Sequence, residues 1–202
     1  MKYFTVSFDD SNLSWLPAAL LLEKYGYRGS FNVTLRYVAT RRVDSRPRMF
    51  PASDTLTWRE IAALQDRGHE ITSHGLRHID YVDATDMELY AELKVAKDIF
   101  ASRGIYPKVF TCPFNGFNKR VDEMSKDIYP YIRGKVGINH VPVESRIYHC
   151  LSWPDAVKSI TDNVWSVGAW HDVTDFERFE QVIRQVKESG ARVVLVEEMM
   201  KQ

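Results

Sequence analysis

Short apolar runs, rich in β-branched and aromatic residues, alternate along the chain with segments in which apolar residues recur at helical spacing. Strands repeat every two residues and helices every 3.6, so the two patterns can be told apart. The helical pattern is clearest in SWLPAALLLEKYG and in DMELYAELKVAKDIFASRG. The runs predicted as strands are YFTVSF, SFNVTL, EITS, KVFT, RIYHCL, VWSVGAW and RVVLVEE.

Start and stop signals support the predicted helices. Thr57 with Glu60 and Thr85 with Glu88 have the spacing of a capping box, in which each residue satisfies a backbone N–H of the other. Glycine often ends a helix because it adopts a left-handed conformation at little cost. Glycines stand where helices should stop, at Gly26, Gly68, Gly104 and Gly190.

This alternation of about seven strands with helices predicts an α/β fold. We expect a parallel sheet closed, or nearly closed, into a distorted (β/α) barrel, with an open doubly wound sheet as the alternative. No Pro- or Ser-rich linker and no internal repeat divides the 202 residues. A chain of this length can bury roughly 70% of its unfolded surface. We therefore expect a single domain over residues 1–202.

Composition excludes several classes of partner. The 27 basic and 27 acidic residues cancel, so no nucleic-acid partner is expected. No window approaches the 18 to 20 apolar residues, roughly, of a membrane span, and the N-terminus lacks signal-peptide features. Cys112 and Cys150 are too few for a disulfide scaffold. These features predict a cytoplasmic protein; an extracellular one stays open if a precursor was trimmed.

Candidate chemistry gathers where the predicted strands end. In a parallel barrel the loops that follow the strands converge on one mouth, which is where barrel enzymes place their active sites. Four strand ends bring polar or rigid groups to this mouth: Asp9 and Asp10; His74 and His78; Cys112, Pro113 and Phe114; His171 and Asp172.

His74 and His78, four residues apart, can present both imidazoles on one face. Together with a carboxylate they suit Zn²⁺ and leave coordination positions open, as hydrolysis requires. From spacing alone, surface histidines are an equal alternative. The Asp pair could instead lie in a solvated turn, or Asp10 could cap the helix that begins near Ser14. Their meeting at one mouth favours a metal site, with one carboxylate as ligand and the other free as a base.

The motif order SFDD, GHEITSHGLRH, GIYPKVFTCPFNGFN and AWHD resembles the polysaccharide deacetylases of the NodB-homology type, carbohydrate esterase family 4. The resemblance extends from Asp9 to about Val196. It implies a NodB-like barrel and a divalent metal, usually Zn²⁺, with Co²⁺ or Ni²⁺ as substitutes. The roles it implies are Asp9 as general base, Asp10, His74 and His78 as metal ligands, His171 as the acid that protonates the leaving amine, and the Phe114 backbone N–H as an oxyanion donor.

The chain departs from the family pattern near this mouth. Thr111 stands where the family has the arginine that orients the base, and Gly75 stands where a Ser or Thr is usual between the histidines. Ala169 replaces a leucine. The Asp and Trp that orient the catalytic histidine have only Trp153 and Asp155 as counterparts, in the wrong order.

The resemblance implies a metal-dependent hydrolase that removes N-acetyl groups from amino sugars in oligo- or polysaccharides. Two alternatives remain: a catalytically impaired, carbohydrate-binding member of the same fold, or an amidohydrolase acting on a small, non-polymeric substrate. The partner expected is an N-acetylated glycan or amino sugar, and the oligomeric state is left open. Candidates for stacking on a glycan are Trp153, Trp165, Trp170, Phe117 and Tyr131. The stretch RYVATRRVDSRPR reads as a loop binding an anionic group, or as a solvated loop.

Overall fold

The computed structural model describes residues 1–38 and 54–201. Most of the arginine-rich stretch RYVATRRVDSRPR lies outside these ranges, and so does the prediction made for it. The described strands are β1 (Tyr3–Asp9), β2 (Ser30–Val33), β3 (Glu70–Ser73), β4 (Val109–Thr111), β5 (Tyr131–Val136), β6 (Asn139–His140), β7 (Ile147–Ser152), β8 (Val164–Trp170) and β9 (Arg192–Val193). The α-helices are α1 (Trp15–Lys24), α2 (Trp58–Asp66), α3 (Asp86–Tyr90), α4 (Ala96–Ala101), α5 (Lys119–Ser125), α6 (Trp153–Lys158), α7 (Phe176–Glu188) and α8 (Val196–Met200).

Seven parallel strands form a closed barrel. Their order is β1, β2, β3, β4, β5, β7, β8, and pairing of β8 with β1 closes the ring. β9 adds to β1 in parallel and β6 adds to β8 antiparallel, both outside the ring. The predicted distorted (β/α) barrel of about seven strands is therefore confirmed, and the open doubly wound sheet is excluded.

The strand prediction contains two errors: one barrel strand was missed and one run was wrongly predicted as a strand, so the predicted total of seven is unchanged. YIRGKV, which forms β5, was not predicted because Arg133, Gly134 and Lys135 interrupt its apolar pattern. RVVLVEE was predicted as a strand but forms only the two-residue β9 and the start of α8. Its Val194 and Val196 pack in the cluster at one end of the barrel rather than in a barrel strand.

The predicted helix ends are confirmed. Glu60 N donates to Thr57 Oγ1 and Thr57 N donates to Glu60 Oε2 at 2.8 Å; Thr85 and Glu88 repeat this reciprocal arrangement. The four glycines that follow helices have φ between +72° and +84°. The long predicted helix after Thr85 forms as α3 and α4 joined by a π-helical turn, Ala91–Val95.

The barrel interior is unusually polar between its two ends. Helices cover the outside through an apolar cluster that includes Phe8, Trp15 and Phe31. Inside, buried polar residues of successive strands face one another: Thr5, Ser7, Ser30, Asn32, Thr72 and Thr111. One end of the barrel is closed by an apolar cluster around Trp165 and Val196. None of the helices in the described ranges is long and apolar enough to cross a membrane.

Candidate active site

Asp10, His74 and His78 meet at the carboxyl ends of β1 and β3. His78 Nε2 lies 3.0 Å, and His74 Nε2 3.6 Å, from Asp10 Oδ1. One potential ligand atom from each residue lies within 4.8 Å of the others. The structure thus brings together the three residues predicted to bind a metal.

The chemistry of these groups fits a divalent cation. Within the described residues Asp10 Oδ1 is buried and receives no hydrogen bond of acceptable geometry, despite the nearby His78 ring. His74 Nδ1 lies 2.8 Å from the Thr111 carbonyl, to which it can donate, and this leaves the Nε2 lone pair directed elsewhere. Burial lowers the pKa of His74 to about 4, so its imidazole is neutral at pH 7, as a metal ligand must be.

The local backbone directs Asp10 and His78 into this cluster. Asp10 has φ +80° and His78 has φ +59°, both in the left-handed region that non-glycine residues seldom occupy. Such strain persists where the surrounding structure fixes it, often at functional sites. The alternative that Asp10 caps α1 does not match the structure, because Asn12 Oδ1 accepts the Ser14 N–H instead, at 2.8 Å.

Asp9 points into the barrel and is held by two buried side chains. Arg133 makes a bidentate contact, with Nη1 3.0 Å from Oδ1 and Nη2 2.5 Å from Oδ2, and Asn32 Nδ2 donates to Oδ1 at 2.7 Å. Burial alone would raise the pKa of Asp9, but the Arg133 guanidinium, assisted by His74, holds it well below its usual range. Asp9 is therefore a carboxylate throughout the neutral range.

Arg133 supplies the charge that the sequence pattern lacks at Thr111. The two residues are register partners on the adjacent strands β4 and β5, so the arginine reaches the same carboxylate from one strand further along. Thr111 stays in the network: its hydroxyl donates to Asn32 Oδ1 at 2.8 Å, and Asn32 in turn donates to Asp9. The absence of arginine at position 111 therefore does not leave Asp9 without an ionic partner.

Polar side chains also take the place of the hydroxyl that Gly75 lacks. A Cβ at this position would lie 1.9 Å from the Tyr81 hydroxyl oxygen and 3.0 Å from Glu92 Oε2, and the residue has φ +84°. The family's Ser or Thr could not be accommodated here without displacing Tyr81. Polar groups from elsewhere in the chain thus occupy the place of the missing hydroxyl.

His171 follows β8 and stands at the mouth. Its side chain is 64% exposed, and its Nε2 lies 4.0 Å from Asp10 Oδ2. Its backbone carbonyl accepts a hydrogen bond from the indole of buried Trp15 at 3.2 Å, which fixes this segment of chain. Asp155 hydrogen-bonds instead to Ser152 and Lys158 near the start of α6, so it does not take the part of the family's orienting aspartate.

Phe114 lies in a short 3₁₀ turn, Pro113–Asn115, that follows β4. It has φ +55°, and its ring packs edge-on against His78 with centroids 4.6 Å apart. Phe114 therefore lies beside the Asp-His-His cluster, where the predicted role would place it.

All six predicted site residues line one cavity of about 520 Å³. Arg133 forms part of its floor with Asp9, and its remaining wall is largely apolar, formed by Val136, Leu151 and Ala169 among others. Cys112 also lines it, but burial raises the pKa of its thiol far above the usual range, which argues against a nucleophilic role.

The five aromatic candidates for glycan stacking separate clearly. Trp153 and Trp170 line the cavity, with their rings stacked 6.1 Å apart, whereas Trp165 is fully buried at the other end of the barrel. Phe117 and Tyr131 are partly buried against apolar clusters away from this wall. Of the five candidates only this pair lines the cavity; Trp170 is 6% exposed, and the Arg178 guanidinium lies over the Trp153 ring, 4.9 Å from its centroid.

Solved structures with this architecture define the class of fold. The chain aligns over 99% of its length with 90% of the Xyl-CE4 domain of a multidomain xylanase from the hindgut metagenome of Trinervitermes trinervoides, at 18% identity and TM-score 0.67. A family 4 acetyl xylan esterase from Clostridium thermocellum, solved with a cobalt ion, gives 19% identity and TM-score 0.67 over 99% of this chain and 91% of its own. A family 4 pseudoenzyme from Bacillus anthracis gives 14% and 0.72 over 98% and 65%. These likenesses show the fold alone.

The family follows from the sequence itself. The model of the polysaccharide deacetylase family matches residues 1–130, well over half of the chain. The chain belongs to the polysaccharide deacetylase family. A comparison with curated protein sequences gave no significant match.

Proposed function

We propose that this protein is a metal-dependent deacetylase that hydrolyses N-acetyl groups on amino sugars of oligo- or polysaccharides. One observation carries the proposal: the ionised carboxylate of Asp9, fixed by Arg133, shares a cavity with the cluster of Asp10, His74 and His78.

Asp10, His74 and His78 would hold the cation, and their oxygen and two imidazole nitrogens suit Zn²⁺, with Co²⁺ or Ni²⁺ able to replace it. When bound there, a divalent cation polarises the acyl carbonyl and lowers the pKa of a water molecule. The orphaned Asp10 Oδ1 and the neutral His74 imidazole support this assignment.

Asp9 acts as the general base and takes a proton from the attacking water. Arg133 and Asn32 hold its carboxylate in one orientation, so the proton acceptor is positioned before the substrate arrives. Their hydrogen bonds keep it ionised and also lower its basicity, so it would take a proton only from a water molecule whose own pKa is lowered at the cation site.

His171 donates a proton to the departing nitrogen. An amide nitrogen is a poor leaving group unless protonated, so a separate acid is required on the leaving-group side. The exposed ring of His171 at the mouth lies where the sugar would extend from the cavity. The Phe114 backbone N–H is proposed to stabilise the negative charge on the acyl oxygen.

Two alternatives retain support from specific observations. Trp153 and Trp170 on the cavity wall would serve a carbohydrate-binding protein as well as an enzyme, and one structural neighbour is a pseudoenzyme. The exposed Asp155, which does not orient His171, would also suit a member with impaired turnover. An amidohydrolase of small substrates would use the same cavity and differ only in what it accepts.

The test is acetate release from N-acetylchitooligosaccharides, acetylated xylan and small N-acetylated amines by Zn²⁺-loaded wild type and Asp9→Asn. Asp162→Asn is a matched control, because this exposed aspartate pairs only with the N-terminus at 3.3 Å in the described residues. We expect release from the amino-sugar oligomers, lost in Asp9→Asn and retained in Asp162→Asn. Release from the small amines alone would favour the amidohydrolase, and binding without release from any substrate would favour the carbohydrate-binding alternative.

A further inference from the structure

The loop of residues 75–77, which connects His74 to His78, is held from two sides. On one side, the backbone N–H groups of Leu35 and Arg36 donate to the carbonyls of residues 75 and 76, at 3.1 and 2.8 Å. On the other side, the N–H groups of residues 76 and 77 both donate to one carboxylate oxygen, Oε2 of Glu92, at 2.7 and 2.9 Å.

Glu92 is fully buried, and its carboxylate is saturated by donors. Arg77 Nε donates to Oε1 at 2.7 Å, and the Tyr81 hydroxyl lies 3.3 Å from Oε2. A buried carboxylate is costly unless it is paired and hydrogen-bonded, and all of these donors come from the loop or from the segment that follows His78. Most of the polar contacts of Glu92 are therefore made with the segment that contains His74 and His78.

The backbone around Glu92 is also unusual. The residue lies in the π-helical turn Ala91–Val95 that interrupts the helix between α3 and α4. Such turns are rare and occur frequently at functional sites. The turn places the Glu92 carboxylate next to the 75–77 loop, which lies 15 to 16 positions earlier in the chain. In the family pattern, residue 75 of this loop would itself carry a hydroxyl.

We propose that Glu92 is a positioning residue for the metal site, which fixes the 75–77 loop and thereby the separation and direction of the His74 and His78 imidazoles. The inference rests on the proposed metal site. Two adjacent N–H groups directed at one oxygen define the orientation of two peptide planes, and His78, with φ +59°, follows directly. Tyr81 and Gly75 complete the arrangement, because the absent side chain at 75 leaves room for the Tyr81 hydroxyl against the carboxylate.

The test is Zn²⁺ affinity of Glu92→Gln by calorimetry, with the absorption spectrum of the Co²⁺-loaded protein and urea unfolding of the chelator-treated protein. Glutamine keeps one oxygen for the two N–H groups but sets its own amide donor against Arg77 Nε–H. We expect Zn²⁺ affinity to fall by roughly 10- to 100-fold, the range seen when outer-shell partners of metal ligands are changed. We also expect the Co²⁺ spectrum to change, which a purely structural role would not produce in the folded protein.

Asp98→Asn is the matched control. It removes one negative charge from the same helical segment, where Asp98 is exposed and pairs with Lys94. It should leave both metal readouts unchanged. Wild-type Zn²⁺ affinity and Co²⁺ spectrum in folded Glu92→Gln would overturn the proposal.

A second variant covers a failure of Glu92→Gln to fold. Arg77→Gln removes the ion pair from a side chain that is 41% exposed and leaves both backbone bonds intact. Zn²⁺ affinity should fall severalfold, and an unchanged affinity would overturn the proposal. If wild type itself bound no Zn²⁺, the proposed function would fail together with this inference, whereas equal binding by wild type and variant would remove only the role of Glu92.

Discussion

The buried pair of Arg133 and Asp9 allows the sharpest prediction for the fold and the site together. Their side chains are only 3% and 5% exposed. Replacing Arg133 by methionine keeps much of its volume but leaves the Asp9 carboxylate in the barrel with Asn32 as its remaining hydrogen-bond donor among the described residues. The variant therefore leaves the Asp9 carboxylate buried without its cationic partner.

The expected cost follows from the two hydrogen bonds that Arg133 donates to Asp9. A hydrogen bond to a charged group contributes about 1.5–3 kcal/mol, so removing two of them amounts to about 3–6 kcal/mol. Breaking a buried ion pair by removing one partner costs about 3–5 kcal/mol, in agreement. For a chain of this size, 1 kcal/mol shifts Tm by about 2–4 °C, so Arg133→Met should lower Tm by roughly 10 °C.

The assay is urea unfolding of the chelator-treated protein at pH 7, for Arg133→Met, Asp9→Asn and the double variant. Because each single change leaves a charge unpaired and the double change leaves none, the double variant should be more stable than the sum of the two losses predicts, by at least about 1 kcal/mol. Additive losses, or a cost below about 1 kcal/mol for Arg133→Met, would refute the argument that this pair holds the barrel interior and the base.

Three further changes have defined outcomes. Gly75→Ala places a Cβ 1.9 Å from the Tyr81 hydroxyl oxygen at φ +84°, so urea unfolding should show a loss of about 2–4 kcal/mol; a loss under about 0.5 kcal/mol would contradict the steric argument. His171→Asn should leave Zn²⁺ affinity by calorimetry unchanged while kcat for acetate release falls by about 10²–10⁴-fold, and undiminished turnover would remove it as the acid. Burial raises the pKa of Glu70 to about 7 from an ordinary 4.5, so the folded state favours the neutral acid. This contribution to stability is present at low pH and lost as pH rises through 7. Between pH 6 and pH 8 the free energy of unfolding of wild type should therefore fall by about 1 kcal/mol relative to that of Glu70→Gln. If urea unfolding gives the two proteins the same dependence of stability on pH, this prediction is contradicted.

Periodicity and helix-end signals predicted the α/β class and most of its elements. Capping boxes at Thr57 and Thr85 act within four residues of chain, so the local sequence contains all the information that they need. The barrel also follows from local patterns, because alternating strands and helices have few ways to close. The number of barrel strands came out right only because the missed β5 balanced the mistaken strand at the end of the chain.

Arg133 was not recognised as the partner of Asp9 because the strand that contains it, β5, was not predicted. β5 contains Arg133, and a buried arginine within a strand breaks the apolar pattern by which strands are recognised. Its burial is tolerated only because Asp9, 124 residues earlier, accepts two hydrogen bonds from it. No local feature of YIRGKV indicates that partner; the signal available was the missing arginine at Thr111, the register partner one strand away.

Glu92 was hidden for a similar reason. In the sequence it is one of several charged residues in a helical segment, and no local feature identifies the groups that it contacts. The contacts that Glu92 makes with residues 76 and 77 depend on how the helical segment around its π-helical turn packs against the loop that follows β3. By contrast, the Asp and His motifs were visible because they follow the ends of strands directly, and a barrel brings those ends together.

The proposed function requires that a cation held by Asp10, His74 and His78 supports deacetylation. The most direct test is acetate release from N-acetylchitooligosaccharides by chelator-treated protein, before and after one equivalent of Zn²⁺, for wild type and Asp10→Asn. Wild type should be inactive when stripped and should recover with one equivalent, while Asp10→Asn should not recover. Full activity of the stripped protein, or equal recovery by Asp10→Asn, would contradict it.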